Sequence, residues 1–127
     1  MEIKLYEVFT IIFCHYIGDF LVQTDWQAKN KSSNNTALIL HTAAYSAFWF
    51  IPMVVLIGLK NDDLPKHTPI LFVLITFFWH TITDYITSRE NKKMLDKGDT
   101  HNFFVLVGLD QIIHYIQLFL TYKYITT

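Results

Sequence analysis

The chain has 127 residues, of which 52% are hydrophobic, 17% are aromatic and 17% are charged, and its formal net charge is −1. A chain of this length forms one domain, and this many apolar residues with so few charges are atypical of a soluble one. The nearly neutral charge offers no basic surface for nucleic acid. The single cysteine, Cys14, excludes a disulfide framework and a cysteine-rich zinc site.

Apolar residues are grouped in four blocks, each long enough to cross a bilayer. The blocks cover residues 5–24, 36–59, 68–88 and 103–124. A helix needs about 20 mostly apolar residues to cross the hydrocarbon core. The sequence therefore predicts an all-α fold, in which residues 1–127 form one integral membrane bundle of four transmembrane helices. A soluble bundle would carry broad charged faces, which the block at 36–59 lacks.

The loops between the blocks carry the signals for helix ends and for orientation. Asn34 and its neighbours are good caps for the second helix, and Pro52 predicts a kink within it. Six of the ten Lys and Arg residues lie in the loops at 25–35 and 89–102. Because positive loops stay in the cytoplasm, this bias places both loops there and both termini outside.

Histidine and aspartate recur four residues apart inside the apolar blocks. The pairs are His15 with Asp19, His80 with Asp84, and Asp110 with His114, and the second block carries His41. This spacing places both side chains of a pair on one helix face. At about 1.5 Å per residue, all four blocks bring polar groups to about 6–11 Å inside the same membrane face. Intramembrane ionisable groups face the bundle interior and mark functional sites, so we expect one polar pocket.

The residue types in this pocket suit a metal ion. Imidazole and carboxylate without thiolate are typical ligands of Zn, Mn or Fe, and zinc is the first candidate for a catalytic site. The predicted ligand set is His15, Asp19, His41, His80, Asp84, Asp110 and His114. These groups exceed what one tetrahedral ion needs, so either two ions bind or some aspartates orient a ligating histidine. The alternative is that they form hydrogen bonds across helices that hold the bundle together.

Other polar or small residues near the pairs have simpler interpretations. Gln23 continues the His15–Asp19 face, and Gln111 and Gln117 flank His114; they are expected to be hydrogen-bond partners or to contact substrate. Glu7 lies near the outer end and is expected to be a solvated carboxylate. Gly18 and Gly108 are expected to allow close helix approach beside the site.

A longer motif surrounds the first pair. Residues 15–31 read HYIGDFLVQTDWQAKNK, and later motifs are His41 with Tyr45, His80 with Asp84, and Asp110-Gln111 with His114. These motifs resemble the domain of unknown function 3307 family, small multi-pass membrane proteins of bacteria and phages, over nearly the whole chain. The resemblance implies an integral protein of the bacterial inner (cytoplasmic) membrane with this polar set as its signature. It implies no particular activity.

Several classes of function fit this pocket. One is a membrane-embedded, metal-dependent hydrolase in which Asp19 or Asp84 is the general base and the substrate is a lipid or phosphoester near the headgroups. Others are a metal-ion or proton carrier, which with four helices requires a homo-oligomer, and a haem protein, which the carboxylates disfavour. A non-catalytic membrane partner of another protein is the fourth. Membrane lipid is the expected partner in each case, and nucleic acid is not.

The predicted topology can be tested by cysteine accessibility in intact cells and in inverted vesicles. Cysteines placed at Lys4 and at Lys93 should be labelled from opposite sides, because one lies outside and the other in the cytoplasm. Labelling of both positions from the same side would contradict the four-span topology.

Overall fold

The structure is a computed structural model that describes residues 2–60 and 63–127, so three residues of the predicted domain, Met1, Asn61 and Asp62, lie outside it. Within the described residues the chain is all helical and has no strand, which confirms the predicted fold class. The helices are α1 (Leu5–Tyr16), α2 (Asp25–Asn30), α3 (Asn35–Phe48), α4 (Phe50–Lys60), α5 (Thr68–Asp96) and α6 (Thr100–Ile125), and a π-helical turn, Ile17–Leu21, follows α1 directly.

The first predicted helix, 5–24, is not one regular α-helix. Its final turn is π-helical, and the amide of Val22 donates to the carbonyl of Ile17, five residues back, at 2.9 Å. The helical run then stops before Thr24, which caps α2 through a reciprocal pair of hydrogen bonds with Gln27. A capping box is a strong start signal, so the chain begins a new short helix where the sequence predicted the end of a long one.

The second predicted helix is divided at Trp49 into α3 and α4. The side chain of Asn34 accepts hydrogen bonds from the amides of Thr36 and Ala37, which makes it the N-cap of α3 as predicted. The break lies three residues before Pro52. A proline cannot donate to the carbonyl four residues back and its ring clashes with that carbonyl, which explains why the preceding residues leave the α-helical pattern.

Helices α5 and α6 form an antiparallel hairpin. Helix α5 continues to Asp96 rather than ending near residue 88, and Gly98, with a φ of 73°, makes the tight connection. A residue with positive φ is readily supplied by glycine after a helix end. Asp99 then caps α6, and the hydrogen bonds from the Asn102 side chain and backbone hold the pKa of Asp99 below its usual value.

The outer surface of the bundle is apolar. Phe104 is 65% exposed, Phe13 is 62% exposed and Leu74 is 59% exposed. Three helical stretches are long and apolar enough to cross a membrane, namely Asn35–Lys60, Thr68–Asp96 and Thr100–Ile125. Because large apolar surfaces of this kind are unusual on soluble monomers, these features fit a membrane protein.

Glu7 is not the solvated carboxylate that the sequence predicted. Its side chain is completely buried, accepts a hydrogen bond from the hydroxyl of Tyr122 at 2.5 Å and lies 3.5 Å from the ammonium of Lys60. Lys60 in turn donates to Thr126. A buried carboxylate is stable only when donors or cations surround it, and here residues from the opposite end of the chain supply both.

The two glycines expected beside the site have different surroundings. A Cβ at Gly18 would lie 3.0 Å from a ring carbon of Phe48 and 3.1 Å from one of Tyr45, whereas a Cβ at Gly108 would meet nothing within 4 Å. Gly18 therefore allows the π turn to pack closely against α3, as predicted. The prediction for Gly108 is wrong.

This difference predicts opposite effects of the same substitution. Gly18→Val should destabilise the protein by about 1–3 kcal/mol, because added atoms in a packed contact force neighbouring rings to move. Gly108→Val is the matched control and should leave the melting temperature in detergent nearly unchanged. Equal melting temperatures for the two variants would contradict the close packing at Gly18.

Candidate metal centre

The structure brings the seven predicted ligand side chains together in the interior of the bundle. Helix α1 and the π turn supply His15 and Asp19, α3 supplies His41, α5 supplies His80 and Asp84, and α6 supplies Asp110 and His114. All are buried except Asp110, which is partly exposed. They do not all occupy equivalent positions, and three arrangements can be distinguished.

The first arrangement is a compact set of four ligand-type atoms. His41 Nε2 lies 3.1 Å from Asp19 Oδ1 and 3.3 Å from Asp84 Oδ2. His80 Nε2 lies 3.5 Å and 3.6 Å from the same two oxygens, and the two ring nitrogens are 3.3 Å apart. Ligands about 2.0–2.1 Å from a tetrahedral ion lie about 3.3 Å from one another. These four side chains are therefore spaced to hold one metal ion, and we call them the tetrahedral set.

The second arrangement lies next to the first and shares Asp84 with it. His114 Nε2 is 3.1 Å from Asp84 Oδ1, the oxygen that the tetrahedral set does not use, and 3.3 Å from Asp110 Oδ1. Thr87 donates to the same Asp110 oxygen at 2.6 Å. Asp19, Asp110 and His114 also offer ligand atoms close enough together to hold an ion. Two aspartates, Asp19 and Asp84, thus border both arrangements, as carboxylates do when they bridge two ions.

The third arrangement contains His15, whose two ring nitrogens are both occupied. Nδ1 lies 2.7 Å from the hydroxyl of Tyr45 and Nε2 lies 2.8 Å from Gln111 Oε1. With the amide orientation as assigned, Nε2–H donates to Gln111 and Tyr45 donates to Nδ1, which leaves no lone pair for a metal. Gln111 also donates to Asp110 at 3.1 Å and to Asp19 at 3.4 Å. His15 therefore anchors Gln111, which orients two of the carboxylates.

Stacked rings fix the histidines of the centre. The rings of Tyr45 and His80 stack at a centroid distance of 3.9 Å, and those of His80 and His114 stack at 4.2 Å. Neither His80 Nδ1 nor Asp19 Oδ1 has a hydrogen-bond partner within the described residues, although both atoms are buried. A buried polar atom without a partner is costly. A cation between the carboxylates would compensate Asp19 Oδ1.

Lys31 is a site residue that the sequence analysis missed. It follows α2, and its ammonium donates to Asp84 Oδ2 at 2.8 Å and lies 3.4 Å from His41 Nε2. Burial lowers the pKa of Lys31, but the carboxylates of Asp84 and Asp19 outweigh that effect and raise it, so the side chain stays protonated at neutral pH. Its signal in the sequence was its place at the end of the 15–31 motif. Tyr45 was also missed as a contact of His15, although it lies one helical turn after His41.

A small cavity reaches the centre from the side of Lys31. It has a volume of about 200 Å³, and its lining includes Asp19, Asp110 and Gln111 together with Gln23 and Asn91. Gln23 was expected to act as a hydrogen-bond partner, but its buried Oε1 has none among the described residues. The π turn separates Gln23 from the regular helical face on which the prediction depended.

These features define an all-helical protein with an apolar exterior and a buried His/Asp cluster that could hold a metal ion. Residues 8–127 match the family described as "Protein of unknown function (DUF3307)". The chain belongs to this family, as its motifs indicated. No match was found among curated proteins or among solved structures.

The geometry predicts which histidines matter for metal binding. Zinc titrated into purified protein should bind, and His80→Ala or His114→Ala should weaken binding by more than about 100-fold, because loss of a ligand costs more than loss of a supporting group. His101→Ala is the control, since this histidine is exposed in the first turn of α6. Helix content should remain unchanged in all three variants, because the apolar surfaces hold the bundle.

The same titration has a pH signature. Zinc affinity should fall as the pH drops below about 6, because imidazoles must be neutral to coordinate a metal. Protein that carries no metal when purified without chelator, and gains none on titration at neutral pH, would contradict the metal centre.

Proposed function

We propose that the protein is a multi-pass protein of the bacterial inner membrane that uses a divalent metal ion, zinc first, to hydrolyse a phosphoester near the cytoplasmic headgroups. The observation that carries the proposal is the tetrahedral set of His41, His80, Asp19 and Asp84, with its ligand-type atoms spaced 3.1–3.6 Å apart. Cross-helix hydrogen bonds alone require neither this spacing nor a shared focus. A cavity leading to the set gives a substrate access.

The proposal includes four spans, with α1 and the π turn as the first. This segment is about 26 Å long at 1.5 Å per residue, slightly shorter than the roughly 30 Å core of a bilayer. Its outward residues are nevertheless apolar, since Phe9 is 51% and Phe20 is 46% exposed. Hydrocarbon around these rings explains why they are not packed inside.

The two carboxylates of the tetrahedral set would have different roles. Asp84 is held on both oxygens, by Lys31 on Oδ2 and by His114 on Oδ1, and therefore suits a fixed ligand. Asp19 has one oxygen without a hydrogen-bond partner and suits a general base. A bound ion would lower the pKa of its water towards about 7. Asp19 would accept the proton of that water as it attacks phosphorus, and would return it to the leaving oxygen when the ester bond breaks.

A carrier is less well supported than a hydrolase. A carrier needs a polar path to the opposite membrane face. Beyond the cluster, the interior contains fully buried apolar side chains, among them Ile11, Trp49 and Leu118. These belong to the apolar core that separates the centre from the Glu7 end. The proposal therefore assigns lipid or phosphoester as the partner and requires no homo-oligomer.

Hydrolysis can be measured with a chromogenic phosphodiester and metal-loaded protein in detergent. Wild-type protein should turn over the ester, chelator should abolish turnover, and Asp19→Asn should lower the rate by about 10²–10⁴-fold, as loss of a general base does. Asp25→Asn is the matched control, because Asp25 is exposed in the first turn of α2. Metal-loaded protein with no turnover of any phosphoester would contradict the hydrolase.

A further inference from the structure

A second, larger cavity adjoins the one that reaches the metal centre. It has a volume of about 450 Å³ and lies between the segment that follows α2 and the final turns of α5. Lys31 and Asn91 line both cavities, so the two form one polar recess. We call this combined space the basic recess, because Lys29 and Lys92 line its outer part and Lys31 lies where the two parts meet.

Buried polar atoms without partners line the basic recess. Ser88 Oγ and Asn91 Oδ1 face the larger cavity and Gln23 Oε1 faces the smaller one, and none of these atoms has a hydrogen-bond partner within residues 2–60 and 63–127. Unpartnered buried polar atoms are few in native proteins, and each calls for a partner that completes it. Their concentration along one recess indicates that a polar ligand supplies the missing hydrogen bonds.

The charge of the recess selects an anion. Lys92 is paired with Asp96 on its own helix at 3.1 Å, but both side chains are about half exposed. Such surface pairs contribute little, so Lys92 can turn to an anion in the recess. Lys29 lies on the opposite wall. Lysine is a common ligand of phosphate, and the two walls together resemble a clamp for one phosphoryl group.

Lys31 connects the recess to the metal centre. Its ammonium contacts Asp84 of the tetrahedral set while its side chain lines both cavities. A phosphoryl group between Lys29, Lys31 and Lys92 would therefore enter the smaller cavity towards Asp19. The hydrogen-bond acceptors Gln23 and Asn91 would then face the organic part of the ester, where hydroxyl groups can donate to them.

We propose that the basic recess is the substrate site of the protein and that its ligand is a phosphate ester bound through Lys29, Lys92, Ser88 and Asn91. This inference rests on the proposed hydrolase and names its substrate class. The phosphate belongs either to a soluble ester or to the headgroup of an anionic lipid, since the recess lies at the predicted cytoplasmic end of the bundle. Both sources offer the same phosphoryl chemistry.

Binding to the detergent-purified full-length chain tests the proposal with two probes. Inorganic phosphate represents a soluble ester and is measured by calorimetry, and phosphatidic acid in mixed micelles represents a lipid. Lys29→Gln and Asn91→Ala should each weaken binding at least about tenfold, because a hydrogen bond to a charged group contributes about 1.5–3 kcal/mol. Lys123→Gln, an exposed lysine at the far end of α6, is the matched control and should bind like wild type.

A measurement on wild-type protein avoids any effect of the substitutions on folding. The bound probe should protect Lys29 and Lys92 from acetylation while Lys123 reacts at an unchanged rate, as read by mass spectrometry. This pattern with inorganic phosphate supports a soluble ester, and the pattern with phosphatidic acid alone supports a lipid. Absence of binding by both probes, or equal weakening by Lys123→Gln, would overturn the proposal.

Zinc binding measured on the same samples separates this inference from the proposed function. Lys29 and Asn91 do not belong to the metal centre, so their variants should retain wild-type zinc affinity. Protein that binds zinc but neither phosphate probe keeps the metal centre and loses the substrate site. Protein that binds phosphate in the recess but no zinc keeps the binding site and loses the hydrolase.

Discussion

An ionised carboxylate in an apolar bundle must be surrounded by cations or hydrogen-bond donors, because its transfer out of water is otherwise too costly. The organisation of the inner end of this protein depends on that constraint. Asp84 is compensated by Lys31, His41 and His114, which come from three different parts of the chain. Helices α3, α5 and α6 and the segment after α2 must therefore meet at one level. The charges of one aspartate thus fix the mutual positions of most of the structure.

The bundle contains a second buried carboxylate, and the comparison between the two ends is informative. Glu7 lies beside Tyr122 and Lys60 and accepts hydrogen bonds on both of its oxygens. It is a completed ion pair, and it holds α1, α4 and α6 together at the outer end. At the other end, Asp19 keeps a buried oxygen without a hydrogen-bond partner. Saturated polar groups stabilise a fold, whereas unsaturated ones indicate a place for a ligand.

Local periodicity explains what could be predicted from the sequence. The i,i+4 spacing placed each His/Asp pair on one face, and these faces do meet; Gln111 is a hydrogen-bond partner of His15 as expected. Neither Lys31 nor the burial of Glu7 could be found in this way. Lys31 reaches Asp84 from a loop, and the partner of Glu7 lies 115 residues away. Such contacts depend on tertiary geometry, which the periodicity of a single helix does not contain. The π turn was missed because the apolar pattern continues through it.

The π turn makes the geometry of the site depend on the number of residues in the chain. A π turn accommodates one more residue than an α turn would, and here that extra residue lies within Ile17–Leu21. A chain shortened by one residue in this segment would form a more regular helix with better backbone hydrogen bonds. Everything after the deletion would rotate by about 100° relative to α1, and His15 and Asp19 would no longer face the same partners. In this segment, the most regular helix and the working arrangement of side chains are mutually exclusive.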